Sequence, residues 1–208
     1  MTGIFITFEG LDGSGKTTQM EIADCTLRAL GIRTRVVREP GGTWVGECIR
    51  EIVLNRIGRE VDEVAELLLF ASARAQNVRD VILPALEAGM TVLCDLFTDS
   101  TIAYQGYGRG LDIETVRRVN WIATGGLQPH RTFLFDLPVD AATARMKSRT
   151  ESPDRIDANG TAFKQRVREG FLEIARLEPD RITVIDAAGT IEETAEHLSQ
   201  MLKEVSCP

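Results

Sequence analysis

The sequence has only two histidines, His130 and His197, and neither has neighbours suited to holding a metal, so both are assigned to structure or surface. Its four cysteines, Cys25, Cys48, Cys94 and Cys207, are scattered without a C-x-x-C spacing. That excludes a disulfide framework and a cysteine zinc site, and it fits a reducing cytoplasm. Positive charge is in short supply too: 24 Lys and Arg stand against 31 Asp and Glu, a net charge of −7. A general nucleic-acid-binding surface needs clustered basic charge, so no nucleic-acid partner is expected, although a local basic pocket for a small anion stays open. No apolar stretch approaches the roughly 20 residues that span a bilayer. The chain runs from its first residues into a strand with no charged leader, so neither a membrane partner nor a signal peptide is expected. Internal repeats, low-complexity tracts and linkers are also absent, and 208 residues then read as a single domain over 1–208.

What the chain does have is concentrated near its beginning. Gly10-Leu11-Asp12-Gly13-Ser14-Gly15-Lys16-Thr17 fits G-x-x-x-x-G-K-[ST] at every fixed position, follows the apolar run Ile4 to Phe8 and precedes a helical segment. Glycines let such a loop become concave, so that its N–H groups approach phosphate oxygens. The helix that starts near Lys16 adds unpaired N–H groups and the positive end of its dipole. Lys16 then reaches the outer phosphates, and the Thr17 hydroxyl is placed for Mg²⁺. The bland alternative is a glycine-rich turn that binds nothing; the strand and helix around it favour a nucleoside triphosphate site spanning Gly10 to Thr18.

Apolar strands alternate with helices along the rest of the chain. Strands are predicted at Ile4 to Phe8, Thr34 to Arg38, Thr91 to Asp95, Thr132 to Asp136 and Arg181 to Asp186. Helices are predicted at Thr17 to Leu30, Val45 to Ile57, Val61 to Ala88, Ile113 to Thr124, Ala141 to Ser148, Ala162 to Leu177 and Ile191 to Val205, with Pro84 kinking or breaking the longest. Continuous apolar character rather than alternation marks buried parallel strands. The expected fold is a three-layer α/β/α domain around a five-stranded parallel sheet. The polar stretch at about 149–160 is too short for a linker and too polar for core, and it reads as a mobile flap over the site. Asp95 ends the third strand at the edge where the P-loop lies, so it is a second candidate at the metal; the alternative is a carboxylate that merely caps the next turn.

Five segments then carry a family resemblance. Phe8 to Gln19, Arg38-Glu39-Pro40-Gly41-Gly42-Thr43, Leu69-Phe70-Ala71-Ser72-Ala73-Arg74, Asp99 to Gly106 and Asp154-Arg155-Ile156 resemble, in order and across essentially the whole chain, the thymidylate kinases. The resemblance implies a P-loop nucleoside monophosphate kinase fold, transfer of the γ-phosphoryl of ATP to dTMP with Mg²⁺, and a homodimer packed through helices, with the long helix as a candidate surface. It also assigns roles. Arg50 grips the acceptor phosphate, and Thr101, Tyr104 and Gln105 line base and sugar, Tyr104 crowding a 2′ substituent. Asp12 meets the sugar hydroxyl, and Glu39-Pro40 forms a wall with Pro40 a candidate for a cis peptide. The spacing independently puts Phe70 and Arg74 on one side of a helix, a ring to stack on a base and a guanidinium for its carbonyl. Gly13 and Ser14 leave the P-loop without an arginine, so the resemblance passes that role to Arg149 and Arg155 in the flap, alongside Lys16 and Asp12.

One position departs from the pattern. The third strand normally ends Asp-Arg-aromatic, and here it reads Asp95-Leu96-Phe97. A lost charge-assisted contact to phosphate costs ~1.5–3 kcal/mol. Either Arg50 or a nearby residue such as Arg109 compensates, or Leu96 is an isolated substitution, or the chain is a catalytically weakened nucleotide-binding homologue. A regulatory GTPase is disfavoured: no N-K-x-D is present, and Asp186-Ala187-Ala188-Gly189 follows the last strand, where it more naturally borders an adenine.

Overall fold

The computed structural model describes residues 3–54, 60–147, 154–156 and 158–206. Five parallel strands, β1 (Phe5–Glu9), β2 (Thr34–Arg38), β3 (Thr91–Asp95), β4 (Arg131–Asp136) and β5 (Ile182–Asp186), form one sheet in the order β2-β3-β1-β4-β5. All four pairings are parallel, with the apolar, buried runs of β1, β3 and β4 in the centre and the more exposed β2 and β5 at the edges. Alternation along β1 divides the core. Ile6 and Phe8 join Leu93 and the inner face of α1 (Lys16–Ala29) at Met20, Ala23 and Leu27. Phe5 joins Val92, Cys94, Ile82 and Leu86 on the other side. Helices therefore cover both faces, and the expected three layers are present. His130 serves the structure: its Nδ1 accepts the Phe5 N–H at 2.9 Å.

The other helices are α2 (Trp44–Leu54), α3 (Glu63–Asn77), α4 (Leu83–Glu87), α5 (Thr98–Thr101), α6 (Ile113–Thr124), α7 (Val139–Lys147), α8 (Thr161–Leu177) and α9 (Ile191–Ser206). The long helix predicted over Val61 to Ala88 is not one regular α-helix. It begins at Glu63, capped by Asp62, whose Oδ1 accepts from the Val64 and Ala65 N–H groups. Over Val78–Ile82 it widens into a π turn, in which the Leu83 N–H reaches back to the Val78 carbonyl. Pro84 follows in the first turn of α4; its ring has no N–H to continue the α ladder, which is why the break falls there.

A second correction concerns residues 98–108, for which no helix was expected. They form α5 and a further π turn, Ile102–Gly108, closed by the Arg109 N–H on the Tyr104 carbonyl at 2.9 Å. Glycine makes room for this turn on α8: a Cβ at Gly170 would sit 2.7 Å from the Tyr107 side chain. The sheet's carboxyl edge thus carries the P-loop after β1, Glu39-Pro40 after β2, the turn at Leu96 after β3 and the 187–190 loop after β5. That is the edge at which ligands bind in such folds.

Candidate active site

The P-loop is built as its letters require. Gly10, Gly13 and Gly15 have φ of 140°, 88° and 89°, and the Ser14 N–H closes the loop on the Leu11 carbonyl at 3.1 Å. Gly13 admits no side chain, since a Cβ there would lie 2.5 Å from the Ala142 carbonyl oxygen. Lys16 is buried, and its Nζ donates to Asp12 Oδ1 at 2.8 Å. Burial would lower the pKa of this ammonium, but the carboxylates of Asp12, Asp95 and Glu9 outweigh it and hold Lys16 protonated. The Thr17 hydroxyl donates to Asp95 Oδ2 at 2.7 Å, which joins the two residues expected at the metal across 78 positions of sequence.

Two buried carboxylate oxygens beside this pair, Asp95 Oδ1 and Glu9 Oε2, have no hydrogen-bond partner among the described residues. Glu9 is fully buried, and burial together with the charge of Asp99 pushes its carboxyl well above the usual range. Its other oxygen accepts the Phe97 N–H at 2.8 Å, fixing the chain just after Leu96.

On the side where the acceptor is expected lies a hollow of about 100 Å³ lined by Asp12, Glu39, Pro40, Arg50, Leu54, Phe70, Leu96, Ser100, Thr101, Tyr104, Gln105, Asp154 and Ile156. The Glu39–Pro40 peptide is cis. Arg50 donates to the Pro40 carbonyl at 2.9 Å, and burial, then the charge of Arg38, lowers the pKa of its guanidinium. A second cavity of about 280 Å³ borders Gly13, Ser14, Gly15, Thr18 and Gln19 on the opposite flank, closed by Arg145, Ala187, Gly189, Thr190, Ile191 and Thr194. One loop thus separates two cavities, with Asp12 in one and Gly13 in the other.

The model of the thymidylate kinase family matches residues 8–198 of this sequence. A thymidylate kinase of Exiguobacterium sibiricum is 51% identical over 192 residues, 92% of this chain and 90% of that protein. Those of a Geobacter species and of Pelotomaculum thermopropionicum are 45% and 50% identical, covering 97% and 90% of this chain and 92% and 87% of their own lengths. The chain belongs to the thymidylate kinase family. Its five-stranded parallel sheet between helices is consistent with the P-loop kinase fold of that family.

Most acceptor residues suggested by this likeness meet at the hollow: Asp12, Glu39, Pro40, Arg50, Phe70, Thr101, Tyr104 and Gln105 all line it. Arg74 is placed differently. Its side chain is 2% exposed and outside the lining, with Nε on Glu39 Oε2 at 2.7 Å, Nη1 on Thr101 Oγ1 and Asn120 Oδ1, and Nη2 on the Phe97 carbonyl. These bonds engage four of the five guanidinium hydrogens and leave the second one on Nη2. Burial raises the Glu39 carboxyl pKa against the opposing pull of Arg74.

The flap arginines were expected to supply charge at the transferred phosphate. Arg149 lies outside the described residues. Arg155 does not face the P-loop: its Nη2 bonds Glu66 Oε2 and its Nε the Val53 carbonyl, while its neighbours Asp154 and Ile156 line the hollow. Its neighbours turn into the hollow, while the Arg155 side chain turns behind it, onto buried Glu66.

Leu96 has φ of 65°, the only described residue other than glycine with positive φ. Such strain in a cleft is characteristic of functional positions. Its side chain lines the hollow, and Cys94 Sγ donates to its carbonyl at 3.1 Å. Arg109, proposed above as a substitute cation, is held by Glu66 and Asn159 and stacks over Phe163 at 4.7 Å, away from the hollow's lining. Of the two substitutes considered, only Arg50 lies in the hollow. The sequence reading missed Arg145, Gln19 and Thr194 at the donor flank, Ser100 and Ile156 at the acceptor, and Glu9. Glu9, Gln19, Ser100 and Ile156 stood inside the segments that carry the family resemblance but were given no role there, whereas Arg145 and Thr194 carried no local signal.

Proposed function

We propose that this chain transfers the γ-phosphoryl group of ATP to dTMP, giving dTDP and ADP. The observation that carries this reading is one P-loop shared by two cavities in a chain of this family, so that donor and acceptor phosphates meet across Asp12 and Lys16. The P-loop amides and Lys16 hold the donor phosphates. An oxygen of the acceptor phosphate attacks the γ-phosphorus as the bond to the β-bridging oxygen breaks, and ADP leaves. Little covalent work falls to the protein, whose contribution is alignment and positive potential.

The residues at Thr17 fit Mg²⁺: they are hard oxygen donors, and two buried carboxylate oxygens there lack a partner. Thr17 and Asp95 would hold the ion, which supplies neutralisation of phosphate charge when bound. On the acceptor side Arg50 takes the phosphate, Phe70 stacks on the base, and the last Nη2 hydrogen of Arg74 serves a base carbonyl. Tyr104 disfavours a 2′-hydroxyl, Thr101 and Gln105 fix the base edge, and Arg149 supplies charge from the flap over 149–160.

The reading extends to the whole protein. The 1–208 chain acts as one domain in the cytoplasm: Cys25, Cys48 and Cys94 are free thiols. Among the described residues no helix is long and apolar enough to cross a membrane. A second copy covers α3, where Val64 and Leu68 are each 51% exposed, making a homodimer. The comparisons offer no support for a weakened homologue.

The deciding experiment is ADP release with each nucleoside monophosphate as acceptor. Turnover with dTMP well above that with uridylate, cytidylate or guanylate is expected, and absence of that preference overturns the reading.

A further inference from the structure

Glu66, in the first turn of α3, is a fully buried carboxylate on a helix that also buries Arg74 and Asn77. Three residues from two separate segments donate to it. Gln105 Nε2 bonds Oε1 at 2.7 Å, and Arg109 brackets both oxygens with Nε at 3.2 Å and Nη2 at 3.1 Å. Arg155 Nη2 takes Oε2 from the flap.

The partners matter more than their number. Gln105 lines the acceptor hollow, and Arg155 sits between Asp154 and Ile156, which line it too. Arg155 also ties to α2 twice, through Nε on the Val53 carbonyl at 2.8 Å and its N–H on the Leu54 carbonyl at 3.1 Å. Arg109 reaches the flap's far end at Asn159 Oδ1, 3.0 Å away, and Asn159 in turn donates to the Ile156 carbonyl at 2.8 Å.

We propose that Glu66 is a positioning residue that fastens the base of the flap to the acceptor hollow, and that Arg155 is its anchor and not a contact to the phosphates. The electrostatics require the carboxylate. Arg109 and Arg155 donate to the same group, and without its charge two half-buried guanidinium groups would repel each other at close range. The bonds to them outweigh the burial that would otherwise raise the Glu66 carboxyl, and hold it ionised. Because the same carboxylate holds Gln105, filling the hollow and seating the flap become linked events.

The test pairs amide exchange of the flap peptide with steady-state kinetics in Glu66→Gln, Arg155→Gln and the double variant. The inference rests on the dTMP kinase reading only for its kinetic arm; exchange is measured on the free enzyme as well. Each single variant is expected to speed exchange at 154–160 about tenfold or more, the equivalent of one lost charge-assisted bond. Exchange in β1 and β3 should stay as in the parent. The same variants should lower kcat about tenfold and shift KM for ATP less than about twofold, and the double variant should be less than additive.

Arg155→Gln lowering kcat with flap exchange unchanged would put Arg155 on the phosphates and overturn the proposal. So would Glu66→Gln speeding exchange uniformly through the sheet, which makes Glu66 a core residue only. If the flap loosens as expected but dTMP is no substrate, the function reading fails and the anchor stands.

Discussion

The donor and acceptor halves of this site are made in opposite ways. The proposed donor half centres on one loop, Gly10 to Thr18, which supplies a concave backbone and a cation, with Arg145 and residues 187–194 closing its cavity. The acceptor half is assembled from residues as distant as Asp12, Glu39, Arg50, Phe70, Leu96, Gln105 and Asp154. The first works through backbone N–H groups that any compliant sequence would present, so its specificity lies in a few glycines and one lysine. The second works through buried polar side chains, whose positions depend on every element that packs behind them. On the proposed function, holding the triphosphate phosphates is mainly a local property of this chain, and choosing an acceptor is a global one.

The contrast breaks most visibly, if it is wrong, at Arg74. Arg74→Met leaves Glu39 buried with Asn77 as its remaining side-chain partner, at 3.4 Å. Removing one member of a buried pair costs about 3–5 kcal/mol, read as a lower urea midpoint with unchanged m-value; a loss under about 1 kcal/mol would mean the acceptor wall does not depend on its buried network. Lys16→Met should be the reverse case. It is expected to lower kcat roughly 10²–10³-fold through lost phosphate stabilisation, while the thermal midpoint stays close to that of the parent. A stability loss as large as that of Arg74→Met would erase the distinction between the halves.

Leu96→Arg sharpens the comparison within the acceptor half. A regained charge-assisted contact is expected to raise kcat/KM for dTMP about 10- to 100-fold. No gain would show that Arg50 already supplies the needed charge. The smallest effect concerns pH. Contacts from Arg109, Gln105 and Arg155 hold the Glu66 carboxyl below its ordinary value of 4.5. The folded state therefore binds fewer protons there than the unfolded chain. Glu66 contributes stability above that ordinary value and loses it as pH falls through the folded one. In Glu66→Gln the acid limb of a stability–pH curve should be shallower, and an unchanged limb would place the acid-sensitive group elsewhere.

How much could be read beforehand follows the same division. The P-loop, the strands and the Thr17–Asp95 pairing were legible because spacing and apolar runs are local signals. Phe70 and Arg74 share a helix side by spacing, yet only Phe70 lines the hollow; nothing in a five-residue interval reveals that Glu39, Thr101 and Asn120 converge on the guanidinium. Residues 98–108 lacked helical periodicity because a π turn does not follow the 3.6 repeat and carries two glycines. The direction of Arg155 was not legible for a related reason. A guanidinium in a polar stretch signals charge but not direction, and its direction is set by Glu66, 89 positions away.

Arg74 also bears on how the molecule is made. Its side-chain bonds close intervals of 35, 27, 46 and 23 residues. Each forms only once its own segment, the end of β2, the turn after β3, α5 or α6, has arrived at α3, so loop-closure entropy is spent before the bonds form. The acceptor wall is accordingly expected to form late and to open cooperatively. A ligand that fits the hollow acts on that entire wall, and it should protect amides as distant as those of β2 and α6 together.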